Sequence, residues 1–175
     1  LSGPRHPAEL ARLVEKIQAG SAPAELRPHL VDLEEVAAQS DDPVLWLEMG
    51  AAQETLGDFA AARRLLERAV SGLEAAADPQ LLAEARCRLG SLLREMGQFA
   101  EARALIEPAL AADESADGQP SPALLRDWNA LGQLLQDEGN PDEALPVLRR
   151  AWEAAEQILP PGQPLRAAVA TNLAS

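Results

Sequence analysis

The sequence predicts an all-α protein built as a solenoid of antiparallel helix pairs, and three observations carry that prediction. Hydrophobic residues make up 47% of the 175 residues, yet aromatics are 3% and Tyr is absent. Ala, Leu, Glu and Arg dominate instead. They lose little conformational freedom in a helix, whereas the β-branched and aromatic residues that suit strands are scarce. Second, one set of small and apolar residues recurs in fixed register. Third, clusters of Pro, Gly and Asp punctuate the chain where one helix must end and another begin.

The recurring set starts at Gly50, Gly90 and Gly132, preceded by Met49, Leu89 and Leu131. Seven residues on stand Gly57, Gly97 and Gly139, followed two residues later by Phe59, Phe99 and Pro141. Ala62, Ala102 and Ala144 come next, then Leu66, Ile106 and Leu148, then Ala69, Ala109 and Ala151. The period is 40 and then 42 residues, and Leu173-Ala174 falls 42 residues after Leu131-Gly132. Repeats are therefore expected at about 43–82, 83–124 and 125–166, with a partial fourth over 167–175. The chain begins without Met, and its last repeat stops within the first helix, so the sequence reads as part of a longer protein.

Taken in order, residues 1–42 read as a loose amino terminus followed by a degenerate capping hairpin. Leu10, Leu13, Val14 and Ile17 form one helical stripe, and Leu26, Leu30, Leu33 and Ala37 form another. Helices are then expected near 43–56, 59–77, 80–96, 99–114, 122–138 and 141–159, with a last one from 165. The second glycine of each repeat suits the tight turn between paired helices, because it has no Cβ to oppose a left-handed backbone. Asp58 and Asn140 suit helix starts. The first glycines fall mid-helix, at a cost of about 1 kcal/mol against Ala. That cost is reasonable where two helices touch, with Ala62, Ala102 and Ala144 facing them. Pro108 and Pro146 lie inside second helices and predict bends rather than breaks.

Trp46-Leu47-Glu48-Met49-Gly50 and Trp128-Asn129-Ala130-Leu131-Gly132, with the Ala-x3-Leu and Ala-x3-Ile steps, resemble tetratricopeptide repeats. The period exceeds the usual 34 residues of that family. Together with the Gly- and Pro-bearing loops 117–122 and 160–164, and with Ala144-Leu145-Pro146-Val147-Leu148-Arg149-Arg150-Ala151, it is similar to the long-period kinesin-light-chain type. The resemblance implies a right-handed superhelix that binds a protein or peptide along a concave groove lined by first helices. By that resemblance Arg88, Ser91, Arg94, Arg126, Asn129, Gln133, Gln136 and Asn172 are the partner-binding candidates, with Leu47, Cys87 and Ala130 beside them. Chaperone-tail binders of the family need a set of Lys, Arg and Asn. The matching places here are Leu47, Ala51, Arg88, Arg126 and Ala130, which argues against that use. The alternative is a regulatory or sensor segment of a larger bacterial signalling, STAND-type ATPase or protease protein.

Charge and residue inventory narrow the function further. The net charge of −13, from 28 acidic and 15 basic residues, disfavours nucleic acid and anionic membrane, both of which need clustered cations. No apolar run reaches the roughly 20 residues of a membrane span. A lone Cys87 cannot form an internal disulfide, so a reducing cytoplasm is expected. The two histidines, His6 and His29, match no metal or nucleophile arrangement. No catalytic residue, metal site or cofactor is expected. Trp46, Trp128 and Trp152 read as packing residues. A third reading is self-association through an open carboxy-terminal end, where Val169 and Leu173 lack the second helix that should cover them.

Overall fold

The structure is a computed structural model that describes residues 38, 40–117 and 119–175. The expected amino-terminal hairpin, with His6 and His29, lies outside the described residues. Among those described there are seven helices and no strand. The chain divides into two compact units between Asp78 and Pro79.

In the first unit, α1 (Pro43–Thr55) and α2 (Phe59–Ala76) form one antiparallel pair. The Asp42 carboxylate accepts the Val44 N–H at 2.9 Å and Pro43 fills the first helical turn, where a missing N–H costs nothing. Gly57 reverses the chain at φ +78°, and Asp58 Oδ1 accepts the Ala61 N–H at 3.0 Å to open α2. The helices meet at Gly50, where a Cβ would lie 2.7 Å from Leu66 Cγ. Trp46 is buried, with the Arg68 guanidinium 4.1 Å above its ring.

The second unit repeats the design and extends it. It contains α3 (Pro79–Glu95), α4 (Phe99–Asp117), α5 (Pro122–Asp137), α6 (Pro141–Ile158) and α7 (Pro164–Leu173). Gly97 and Gly139 turn the chain at φ +77° and +81°. The pairs α3–α4 and α5–α6 close on Gly90 and Gly132, where an added Cβ would meet Ile106 and Leu148 at 2.6 and 2.4 Å. The mid-helix glycines thus mark the close approach that the register predicts. Ile106, Leu148, Ala102 and Ala144 are all buried beside them.

Two boundaries depart from expectation. Helix α4 runs three residues beyond 114, because no breaker intervenes before Gly118 and the Ser115 hydroxyl donates to the Ala112 carbonyl at 2.7 Å. Asn140 occupies the N-cap of α6 without a side-chain bond, while its backbone N–H reaches the Leu135 carbonyl at 2.8 Å. Helices α4 and α6 continue through Pro108 and Pro146. Both prolines, and the residues four earlier whose carbonyls lose a partner, face solvent, where water can satisfy the freed groups.

Candidate protein-binding surface

Within the second unit α3 packs on α5 and α5 on α7, whereas α4 and α6 do not approach one another. The first helices therefore occupy the inside of this unit's curve, where the sequence expects a groove. All eight candidates stand on α3, α5 and α7, and all are half-buried. Their hydrogen bonding separates them into two groups.

Five are committed to the protein itself. Arg88 holds Glu84 one turn back, with Nη2 3.0 Å from Glu84 Oε1. Arg94 Nη1 donates to Asp137 Oδ2 at 2.6 Å, tying α3 to the end of α5, and its side chain is 15% exposed. Asn172 Nδ2 donates to Asn129 Oδ1 at 2.8 Å, and Gln136 Nε2 donates to the Asn172 carbonyl at 3.0 Å, tying α5 to α7. Arg94, Asn129, Gln136 and Asn172 thus join neighbouring repeats, whereas Arg88 is held within its own helix.

Ser91, Arg126 and Gln133 differ. Among the described residues, Ser91 and Gln133 make no side-chain hydrogen bond and Arg126 no hydrogen bond or ion pair. Arg126 and Gln133 lie seven residues apart on one face of α5, and Ser91 occupies on α3 the repeat position that Gln133 occupies on α5. Accessible donors that the fold leaves unused are the groups a partner can engage.

Several expectations are corrected. Leu47, Cys87 and Ala130 are core residues, 2%, 6% and 3% exposed, rather than groove residues. Val169 is not uncovered: it is fully buried against Leu124, Leu125, Trp128 and Ala155, while Leu173 packs partly on Leu135 and Leu148. The tryptophans are packing residues. Trp128 is buried, with Nε1 donating to Glu114 Oε1 at 3.2 Å and Arg150 stacked 4.4 Å above its ring. Half-buried Trp152 packs against the same core.

Sequence reasoning missed a buried polar site beneath this face. Asp127 on α5 is 2% exposed and its Oδ2 makes no hydrogen bond. Burial pushes its carboxyl up to about 7, with the Cys87 thiol opposing that rise and the Asp113 carboxyl of α4 adding to it. Burial first, then Asp127, also raises the Cys87 thiol well above its ordinary value. A thiol held neutral in this way is a poor nucleophile. The missed signal was in the register: position 127 corresponds to Leu45 and Ala85, and position 113 to Leu73 and Ala155.

The tetratricopeptide repeat profile matches residues 41–115 and 81–157. The chain belongs to the tetratricopeptide repeat family. No curated protein matches it. Among solved structures, the nearly identical TPR-like repeats of a kinesin light chain from Podosopora anserina superpose with TM-score 0.72 at 22% identity, covering 97% of this chain and 86% of that one. BtubC (BKLC) from P. vanneervenii gives 0.70 at 19% identity, covering 95% and 69%. A MamA protein gives 0.61 at 19% identity, covering 85% and 72%. At these identities the likeness is one of fold, and the fold is the long-period kinesin-light-chain-like type. Tetratricopeptide repeats typically serve as non-catalytic scaffolds for protein partners. No described helix is long and apolar enough to cross a membrane.

Proposed function

We propose that this tetratricopeptide repeat segment binds an extended peptide or a docked helix of a protein partner on the face made by α3, α5 and α7. One observation carries the reading: Ser91, Arg126 and Gln133 keep accessible polar groups without a partner among the described residues, while Arg88, Arg94, Asn129, Gln136 and Asn172 are tied to their neighbours. Gln and Ser can pair with the amide groups of an incoming main chain, and the Arg126 fork suits a carboxylate. The anchor set is therefore smaller than the sequence alone suggests. The other five residues support it from beneath.

A peptide library displayed on phage, selected against the intact chain, tests this reading. Binders are expected to carry an acidic residue and to lose at least about tenfold in affinity, or about 1.4 kcal/mol, with an Arg126→Glu, Gln133→Ala double variant. Arg149→Glu, on the exposed side of α6, should leave fluorescence-anisotropy titrations within about twofold of wild type, as expected outside an energetic centre. Selected peptides that bind the double variant as tightly as wild type would remove this face from the proposal.

A further inference from the structure

Buried Asp127 and half-buried Asp113 lie beneath that surface, within reach of the Arg126 charge, and nothing in the repeat design requires them. The other repeats fill these two positions with apolar side chains, of which Leu73, Ala85 and Ala155 are fully buried. Two carboxyls from neighbouring helix pairs thus replace core packing at one place, the contact of α4 with α5. Polar residues at core positions cost stability unless their partners are complete, and Asp127 Oδ2 has none. A departure of this kind from an otherwise consistent local pattern marks a specialised position.

We propose that Asp113 and Asp127 form a proton-operated latch at the α4–α5 junction: with a proton held between them the junction is closed, and with both carboxyls ionised it loosens. A neutral carboxyl can donate a hydrogen bond to a charged one, whereas two adjacent carboxylates repel and the buried one must also be desolvated. On ionisation the proton leaves to solvent, and the charge on the pair is opposed by Arg126. The remaining ionisable groups around it come from α3, where the Cys87 thiol faces Asp127 and Glu84 acts on Asp113. Glu84 repels Asp113, and Cys87 stays neutral.

The pH window follows from the direction of the shifts. Asp127 sits at about 7 in the folded protein, and burial raises Asp113 also. Both ordinary values lie near 4 in an unfolded chain. Between those limits the folded state binds more protons than the unfolded state, so stability falls as pH rises. The stabilisation is complete below about pH 4 and is lost once pH passes about 7.

The test uses the intact chain. Carboxyl-carbon NMR of 13C-labelled Asp should show one aspartate titrating near neutrality, and that resonance should vanish in Asp127→Asn. The wild-type melting temperature should drop by roughly 5 °C or more from pH 5.5 to pH 8, with faster amide exchange in α4 and α5 after correction for the intrinsic rate. Asp127→Asn should flatten that slope, as should the Asp113→Leu, Asp127→Ala double variant that restores residues found in the other repeats. If every aspartate titrates near pH 4, or if the restored variant keeps the wild-type slope, the latch is overturned. The NMR titration needs no variant to fold.

Discussion

Contacts inside a helix pair and contacts between neighbouring pairs follow different rules in this chain. Inside each pair, one glycine of the first helix receives one branched side chain of the second: Gly50 with Leu66, Gly90 with Ile106, Gly132 with Leu148. Between the pairs of the second unit the polar contacts differ in chemistry. A salt bridge, Arg94 to Asp137, joins α3 to α5, whereas a hydrogen bond from the Asn172 side-chain amide to Asn129 Oδ1 joins α5 to α7. Glu114 of α4 joins Arg150 and Trp128, and Arg166 of α7 donates to the Leu159 carbonyl at 2.9 Å. A repeat chain can reuse one solution for its local hairpin, because sequence neighbours always meet there. Each junction meets a different neighbour and must be solved separately.

The most damaging way to break that distinction is to empty a pair interface. Leu148 is 1% exposed and sits over Gly132. Leu148→Ala should cost about 2–5 kcal/mol, because it removes buried methyl groups and leaves a cavity between two helices too close-packed to collapse further. Urea denaturation followed by circular dichroism measures this directly. A loss under about 1 kcal/mol would mean that α5 and α6 do not depend on this contact, since core Leu→Ala changes seldom cost so little.

A second change sharpens the comparison by testing shape rather than volume. Gly132→Ala places a methyl group where Leu148 already stands, and it should cost about 1–3 kcal/mol by overpacking. Ala is nevertheless the better helix former by about 1 kcal/mol, so any loss opposes intrinsic propensity. In the Gly132→Ala, Leu148→Ala double variant the new methyl enters the space vacated by leucine. The double loss should therefore be smaller than the sum of the single losses, by at least about 0.5 kcal/mol, as expected for directly touching residues.

These two rules also explain what the sequence made legible. The helix-pair contacts were readable because register alone identifies both partners, and turn glycines were readable because φ near +80° selects for them. Helix ends fell within a few residues of expectation for the same reason, with Asp42, Asp58 and Ser121 capping as their chemistry suggests. The surface was readable only as a face. Whether Arg94 or Arg126 is free depends on Asp137, 43 residues from Arg94, and on side-chain directions that spacing does not fix. Asp127 was legible in principle, by asking which core position changes character between repeats. Periodicity arguments pass over it because they reward what recurs.

The smallest expected effect belongs to the junctions. Asp137→Asn removes the charge that Arg94 holds at 2.6 Å, but the Asp137 side chain is 42% exposed and water screens the pair. Such a bridge is worth about 0–1 kcal/mol. The loss should therefore be under about 1 kcal/mol in dilute buffer and should fade at 1 M salt, where screening acts over about 3 Å. Gly132→Ala, by contrast, should keep its cost at any ionic strength, since overlap of atoms does not depend on charge. Comparing the two variants across a salt series separates a junction fixed by electrostatics from a pair fixed by shape. If Asp137→Asn costs as much as Gly132→Ala and is equally indifferent to salt, Arg94 is acting there as a packing residue through its aliphatic stem, and the junction belongs with the interior of the pairs.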